Sequence, residues 1–473
     1  MSAYRPEKAI LELDERFHRA VEPADFPQHL IRWRNQRWAD EVDLGALSDA
    51  EWVEHFGKFA PLKGSLEKPL ALGYHGHQFQ TYNPQIGDGR GFLFAQLRDG
   101  TGRLLDLGTK GSGQTPWSRT GDGRLTLKGG VREIMAAGML EALGVYTSKA
   151  FSLIETGEQL ARHDEPSPTR SSVLVRLSHS HMRFGTFQRQ AYAGDADAIG
   201  KLVEYSIRHF HPQAAGADMA ASAAGLLREV VVATAELAAS WMSAGFVHGV
   251  LNTDNMVVTG ESFDYGPWRF LPYSDPSFTA AYFDENGLYA FGRQPSAALW
   301  NLSQFATCLT LVCETPPLEK ELEQFERLYR AAFRRRMLGV MGLKPASEEQ
   351  DLALFKALFG WMGETKTSWP QVFFDWFCGP ASEGRAARSP LAKQYAAPAF
   401  DDVRRVLMAG NPEAPDRLDH PYFASGFPVS LLIEEVEALW DHIAEGDDWA
   451  PFNAHMARIE MARQALRLPQ VKA

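Results

Sequence analysis

The 473-residue sequence predicts an α+β fold of two lobes, one β-rich and one helical, with an extension at each end. Three observations support this prediction. Strand-like segments and turns dominate the first part of the chain, and helical periodicity dominates after about residue 197. A polar loop with metal-site spacing follows directly after the longest predicted helix. The expected units are an N-terminal extension over 1–70, the β-rich lobe over 71–200, the helical lobe over 201–400, and a C-terminal helical extension over 401–473.

The β-rich part contains a clear hairpin. Residues 91–97 and 103–110 are apolar runs on either side of Asp99-Gly100-Thr101-Gly102, and such runs around an Asp-Gly turn indicate a β-hairpin. Apolar residues at helical spacing predict a helix over 130–143, and alternation predicts a strand over 171–178.

Helical patterns cover most of the second half. The stretch 217–245 is long and rich in alanine, and Gly245 is suited to its C-terminal cap. Further helices are predicted over 296–313, 317–340 and 349–363.

Composition and charge argue against several classes of protein. The net charge of −11 is unlike that of a dedicated nucleic-acid binder. The most apolar stretch, 229–247, contains Glu236 and does not predict a membrane span. The first twenty residues lack the apolar core of a signal peptide, and the three cysteines form neither a disulfide framework nor a zinc motif. We therefore expect a cytoplasmic protein that binds neither nucleic acid nor membrane.

The loop at 248–255 reads His-Gly-Val-Leu-Asn-Thr-Asp-Asn, which is the spacing of a protein-kinase catalytic loop, and Asp264-Tyr265-Gly266 follows as a D-F-G-like turn. Val250 occupies the position of the catalytic aspartate, so ordinary γ-phosphoryl transfer lacks its base. Asn255 and Asp264 keep the positions that bind Mg²⁺. Asp254 is either a relocated base or a cap of the turn. With the β-then-α order, this loop predicts a protein-kinase-like fold.

The first half contains the phosphate-binding groups that such a site needs. Lys110 ends the second hairpin strand and Glu133 lies on the next predicted helix, in the order of the lysine–glutamate ion pair of kinases. The glycines of Gly87-Asp88-Gly89-Arg90 allow backbone N–H groups to approach phosphate, although this sequence is also a common turn. Gly121-Asp122-Gly123-Arg124 repeats the pattern, either as a second phosphate loop or as an unrelated tight turn.

Cations are unusually numerous in these segments. They are Arg90, Lys110, Arg124, Arg176 and Arg183. An ordinary kinase uses fewer cations on the phosphates of its nucleotide. This surplus and the missing loop aspartate indicate either an inactive nucleotide-binding protein or a different reaction on the nucleotide.

Longer motifs occur between about residues 70 and 305. They include GHQF at 76–79, QIGDGR at 85–90, KGSGQTPWSRTGDGR at 110–124, SHMRFG at 180–185, FVHGVLNTDNM at 246–256 and DYGP at 264–267. In these motifs the sequence resembles the selenoprotein O (YdiU) family of kinase-like proteins. Many members carry a selenocysteine or cysteine near the C-terminus, whereas the last cysteine here is Cys378.

The resemblance implies a kinase-like fold that binds ATP in a flipped orientation and transfers AMP to hydroxyl side chains of partner proteins. It implies Asp254 as the catalytic base, and Asn255 and Asp264 as ligands of Mg²⁺ or, alternatively, Mn²⁺. The nucleotide-binding residues that it implies are Gly87, Gly89, Arg90, Lys110, Asp122, Gly123, Glu133, Arg176, Arg183 and Asp264.

Several functions remain open from the sequence. The leading hypothesis is a Mg²⁺-dependent protein adenylyltransferase that modifies Ser, Thr or Tyr and releases pyrophosphate. Uridylyl transfer is an alternative, because no residue identified from the sequence recognises the base. A silent ATP-binding pseudokinase scaffold is another, although retained metal ligands have little use in it. A small-molecule phosphotransferase that uses Asp254 as a relocated base is the last.

Overall fold

The computed structural model describes residues 4–163 and 165–470, which form a mixed α+β architecture. The strands are β1 (Pro6–Glu7), β2 (His18–Ala20), β3 (Leu30–Arg34), β4 (Leu70–Leu72), β5 (Gly76–Gln78), β6 (Thr81–Asn83), β7 (Leu93–Arg98), β8 (Leu104–Lys110), β9 (Leu125–Thr126), β10 (Lys149–Leu160), β11 (Thr169–Ser178), β12 (Phe246–Val247) and β13 (Arg269–Phe270). The helices are α1 (Gln36–Glu41), α2 (Asp49–Phe56), α3 (Leu127–Ala142), α4 (Phe184–Tyr192), α5 (Ala196–His209), α6 (Met219–Ser243), α7 (Gln294–Leu309), α8 (Thr315–Leu322), α9 (Phe325–Met341), α10 (Glu348–Thr365), α11 (Trp369–Asp375), α12 (Glu383–Ala386), α13 (Ala392–Tyr395), α14 (Asp401–Met408), α15 (Ile433–Gly446) and α16 (Ala450–Leu466).

A curled antiparallel sheet dominates the first part of the chain. Its strands lie in the order β2-β4-β7-β8-β11-β10-β3, with β1 paired to β7 and β9 paired to β11. The predicted hairpin is confirmed as β7 and β8. In the pairing of β8 with β11, Lys110 lies opposite Leu174. Since alternate residues of a strand share a face, this register places Lys110 and Arg176 on the same side of the sheet.

Both faces of the sheet are buried. On one face Leu174 belongs to the same apolar core as Val131 of α3. On the other face Val175 packs in a core with Trp52 and Phe56 of α2. The strand predicted over 171–178 is confirmed, and it carries apolar residues on both sides because both sides are covered.

The helical part is built around α6, which confirms the helix predicted over 217–245. Gly245 follows it with φ of +63°, the left-handed conformation that favours glycine after a helix. The helices predicted near 296–313 and 349–363 are confirmed as α7 and α10. In the described parts of the chain, no helix is long and apolar enough to cross a membrane.

The prediction of a single helix over 317–340 is wrong, because the structure divides this stretch into α8 and α9. The break at Glu323 and Gln324 lets α8 pack on α6 and α7 while α9 continues along α6. Leu318 of α8 and Phe325 of α9 are both buried as a result.

The two ends of the chain pack on the central part. The strands β1, β2 and β3 belong to the main sheet, and α15 and α16 contact α3. Helix α3 is therefore enclosed between the sheet and the C-terminal helices, which fixes the position of the side chains that it carries towards Lys110.

Candidate functional site

A cleft of about 700 Å³ lies beside the sheet, next to the loop that follows α6. It gathers residues that are far apart in the sequence. The predicted residues that line it are Gly87, Gly89, Arg90, Lys110, Asp122, Gly123, Arg176, Arg183, Asp254 and Asp264. Glu133 and Asn255 are the predicted residues that are not among its lining side chains.

Asp264 lies at the centre of a cluster of buried cations. Its Oδ1 accepts hydrogen bonds from Lys110 Nζ at 2.7 Å and Arg176 Nη1 at 3.3 Å, and its Oδ2 accepts one from Arg183 Nη1 at 3.5 Å. Burial acts to raise the pKa of this carboxyl, but the charges of the three cations outweigh it and hold the pKa well below its usual range. Asp264 is therefore ionised at neutral pH.

Lys110 also forms the ion pair with Glu133 that the sequence predicts. Glu133 is only 3% exposed, and its second oxygen lies 4.0 Å from Arg176 Nη1. The carboxylate thus stands behind Lys110 and Arg176, where it orients both cations towards the cleft without lining it.

Arg183 is enclosed by aromatic rings. Its guanidinium lies 4.5 Å from the ring centre of Tyr74 and 4.6 Å from that of Phe263, and Nη1 donates a hydrogen bond to the backbone carbonyl of Asp254 at 2.6 Å. Arg183 therefore connects the loop of Asp254 with Asp264. Tyr74 and Phe263 are not among the predicted residues, because an aromatic residue in a core segment carries no local motif.

Asp254 has an oxygen atom that is not used in hydrogen bonding. The residue is 8% exposed, and its Oδ1 has no hydrogen-bond partner within the described structure. Burial raises the pKa of Asp254 to about 6, although the charge of Arg183 acts in the opposite direction. A carboxylate with a free oxygen and a pKa near neutrality is suited to accept a proton.

The segment around β5 holds Asp254 in place. A Cβ atom on Gly76 would lie 2.7 Å from Asp254 Oδ1, so only glycine leaves room for this carboxylate. The neighbouring Thr253 Oγ1 accepts a hydrogen bond from the His77 N–H at 2.7 Å and donates one to Gln188 Oε1 at 2.6 Å. Gly76 contacts the candidate site and is not among the predicted residues, although it lies in the motif at 76–79.

Asn255 lies at the back of the loop. Its Nδ2 donates a hydrogen bond to the backbone carbonyl of Val250 at 3.0 Å, so the opposite end of the amide, Oδ1, remains as an acceptor. His248 joins the same loop to the D-Y-G segment, with Nε2 at 3.0 Å from the carbonyl of Phe263. The side chain at 250 plays no part in these contacts.

The first G-D-G-R segment packs closely on Trp117. A Cβ atom on Gly87 would lie 2.5 Å from the indole ring, and one on Gly89 would lie 3.1 Å from the Trp117 carbonyl oxygen. Arg90 is exposed at the edge of the cleft. Close approach therefore excludes a side chain at Gly87 and leaves little room for one at Gly89, whichever ligand the cleft receives.

The second G-D-G-R segment is held by ion pairs. Asp122 accepts hydrogen bonds from Arg162 at 2.7 and 3.2 Å, and Arg124 donates from Nε to Glu158 at 2.8 Å. Arg124, which the sequence places among the surplus cations, is thus already paired. Asp122 and Gly123 line the cleft.

Known proteins resemble this chain over nearly its whole length. The family model described as Protein adenylyltransferase SelO matches residues 2–460. A protein from Synechocystis sp. called Protein nucleotidyltransferase YdiU is 40% identical, with 96% of this chain and 97% of the relative covered. Its namesake from Gloeobacter violaceus is 42% identical, covering 96% and 94%, and one from Ruegeria sp. is 36% identical, covering 89% and 86%.

Proposed function

This chain belongs to the SelO family of nucleotidyltransferases, and we propose that it transfers AMP from ATP to hydroxyl groups of Ser, Thr or Tyr in other proteins. The observation that carries the proposal is the unpaired Oδ1 of buried Asp254, in the same cleft as three buried cations. A carboxylate that can accept a proton and a group of cations that can stabilise a leaving group are the two requirements of such a reaction.

The proposed fold for this activity is kinase-like. The sheet and α3 would form the β-rich lobe over 71–200, the helices over 201–400 would form the second lobe, and 1–70 and 401–473 would be extensions. Support comes from the order of the elements, because Lys110 on a strand pairs with Glu133 on the next long helix and the polar loop follows α6.

The proposed orientation of ATP places its β- and γ-phosphates against the cations. Lys110, Arg176 and Arg183 converge on one carboxylate, and phosphate oxygens would take over part of their hydrogen bonds. The remaining predicted contacts of the nucleotide are with Gly87, Gly89, Arg90, Asp122 and Gly123. In this orientation the α-phosphate is the group left for an incoming hydroxyl.

The proposed reaction is a displacement at the α-phosphorus. The acceptor hydroxyl gives its proton to Asp254 Oδ1 as its oxygen forms a bond to the α-phosphorus. The bond between the α-phosphorus and the oxygen that bridges to the β-phosphate breaks, and pyrophosphate leaves with both bonding electrons. Lys110, Arg176 and Arg183 stabilise the charge that develops on the pyrophosphate.

The side chains present fit a divalent cation. Asp264 is ionised and lines the cleft, and the amide of Asn255 keeps Oδ1 as an acceptor. Carboxylate and amide oxygens, completed by phosphate oxygens, are the ligands that Mg²⁺ prefers. Bound Mg²⁺ would supply charge neutralisation of the phosphates, and Mn²⁺ has compatible ligand preferences.

A transfer assay with ATP labelled at either the α- or the γ-phosphate tests the proposal. We expect acceptor proteins to retain the α-label with release of labelled pyrophosphate from the γ-labelled substrate. The Asp254→Asn variant is the matched control and should bind ATP without transferring AMP. Protein labelled only from the γ-position would show phosphoryl transfer instead, and α-labelled UTP used in preference to ATP would show uridylyl transfer.

A further inference from the structure

A second cleft, of about 540 Å³, lies on the other side of Lys110 and Glu133. It is bounded by the start of α3, by the segment that follows Asp264, and by Glu437 on α15. We refer to it as the basic cleft. Its basic lining residues are Arg90, Lys110, Lys128, Arg132, Arg162 and Arg269, and its acidic lining residues are Glu133, Glu165 and Glu437.

Positive charge is in excess in the basic cleft, as far as the described residues show. Glu133 is already paired with Lys110, and Arg162 is paired with Asp122. When these pairs are left out of the count, four basic residues and two acidic residues line the cleft. The basic residues are Arg90, Lys128, Arg132 and Arg269, and the acidic residues are Glu165 and Glu437. The excess persists even when both of these carboxylates are counted as fully available. It stands out in a chain whose net charge is −11, because a local positive site in an acidic protein concentrates anionic partners there.

Two guanidinium groups in the cleft hydrogen-bond mainly to the backbone. Arg132 Nη2 donates to the Trp268 carbonyl at 3.2 Å, and its described ion pair, with Glu437, is long at 3.8 Å. Arg269 Nη1 donates to the carbonyls of Pro267 and Trp268 at 2.9 Å. Burial lowers the pKa of Arg132 to about 10, the nearby charge of Arg269 adds to this, and Glu437 offsets only part of the effect.

The carboxylate of Glu437 already contacts the basic residues of this cleft. Its carboxylate accepts a hydrogen bond from Lys128 Nζ at 2.5 Å and approaches Arg132, yet its side chain is 41% exposed. A carboxylate that is bound at one side and open to solvent at the other can be displaced by a second carboxylate from outside. The internal acid therefore marks both the position and the chemistry of an external ligand.

The rim of the cleft leads towards the proposed base. Tyr282 and Phe283 line the cleft and are 86% and 47% exposed, so both rings are accessible to a polypeptide that enters the cleft. The ring of Phe283 packs against that of Phe79 at 5.7 Å, and the Phe79 N–H bonds to Asn252 two residues before Asp254. A polypeptide in the cleft would thus lie beside the loop that acts on its hydroxyl group.

We propose that the basic cleft is a docking subsite for acidic side chains of the acceptor protein, close in sequence to the hydroxyl that is modified. This proposal rests on the proposed transfer to proteins. Arg132, Arg269 and Lys128 bind the carboxylates of the acceptor, and Glu437 competes with them. Acidic residues near the target hydroxyl then determine which proteins are modified.

Binding of a fluorescein-labelled twelve-residue peptide of alternating Glu and Ser, measured by anisotropy without nucleotide, tests the subsite. The same peptide with Gln in place of Glu is the comparison. We expect the Glu peptide to bind more tightly, Arg269→Gln to weaken its binding about tenfold, and Glu437→Gln to strengthen it about threefold. Arg132→Lys, which keeps the charge but loses the planar fork, should weaken binding about threefold.

Arg330→Gln on the exposed side of α9 serves as the charge-matched control and should leave binding unchanged; its side chain is 73% exposed. A gain of affinity in Glu437→Gln separates a binding role from a structural one, because loss of an ion pair alone would not strengthen binding.

Equal binding of the two peptides, or equal binding by the wild type and both Gln variants, would overturn the proposal. Displacement of the Glu peptide by inorganic phosphate but not by equimolar acetate would instead identify a phosphate site and overturn the acidic-peptide assignment. Because the assay contains no ATP, its result does not depend on whether AMP is transferred.

Discussion

Replacing Asp254 by Asn should stabilise the folded protein while it abolishes transfer. The carboxylate is buried, its Oδ1 is unpaired, and burial raises its pKa from the ordinary 3.8 to about 6. An acid with a raised pKa in the folded state opposes folding whenever it is ionised. Asn has nearly the same shape and cannot ionise, so the variant removes this opposition and also removes the proposed proton acceptor.

The size and the pH dependence of the effect follow from the pKa. One pKa unit corresponds to about 1.4 kcal/mol, so ionised Asp254 costs the folded state about 3 kcal/mol. The cost is absent below about pH 4, where the carboxyl is protonated in both states. It grows between about pH 4 and pH 6, and is complete above pH 6. For a chain of this length the unfolding entropy converts this difference to about 3 °C in Tm.

Thermal unfolding of the wild type and Asp254→Asn between pH 4 and pH 8 measures the difference. We expect equal Tm values near pH 4 and a higher Tm for the variant at pH 8. Asp402→Asn is the control, because the Asp402 side chain is 87% exposed and its replacement should change Tm little at any pH. A variant that is less stable than the wild type at pH 8, or a difference that does not vary with pH, would refute the assignment of Asp254 as a buried, unpaired base.

Three further predictions follow from the same geometry. Transfer activity, measured as kcat/KM, should fall about tenfold per pH unit below about pH 6, because Asp254 must be deprotonated to act; a flat profile down to pH 5 would argue for another base. Asp264→Asn should have the opposite effect on stability from Asp254→Asn, with a loss of about 3 kcal/mol or more in denaturant unfolding at pH 7, since it leaves three buried cations without their shared carboxylate. The Asp264 contribution is present above the ordinary pKa of the group and is lost as the pH falls, so the gap between this variant and the wild type should narrow in acid. Gly76→Ala should lower kcat at least tenfold with little change in the Kd of ATP, because the added Cβ displaces Asp254 Oδ1 and not the phosphate-binding cations; an unchanged kcat would show that Asp254 has room to move.

Local patterns were enough to predict several strands and helices, and most of the residues predicted for the site line one cleft. The hairpin β7–β8, helix α3 and the long helix α6 each have a complete pattern of apolar residues and turns within a short stretch. The pairing of Lys110 with Glu133 was predictable because the two positions carry a recognisable order on a strand and the next helix. The break between α8 and α9 was not, because it depends on which neighbouring helices each part packs against.

Apart from the Lys110–Glu133 pair, the sequence did not predict which charged groups form ion pairs with one another. Arg124 forms an ion pair with Glu158, and Asp122 forms one with Arg162, which lies in a loop that is distant in the sequence. The convergence of Lys110 and Arg176 on Asp264 depends on the register between β8 and β11. These contacts join residues that lie far apart in the sequence, so no local pattern predicts them.

Sequence spacing alone shows that Val250 occupies the position at which a kinase-type loop carries aspartate, that Asp254 lies close by, and that cations are numerous in the motifs. These facts concern residue types at fixed spacing, and spacing is a property of the chain. Three features became visible only in the folded chain: Asp254 Oδ1 has no hydrogen-bond partner among the described residues, Asp264 pairs with three cations, and the basic cleft opens behind Lys110. Burial and unpaired charge arise from contacts between distant segments, so their effect on pKa and binding appears only when the chain is folded.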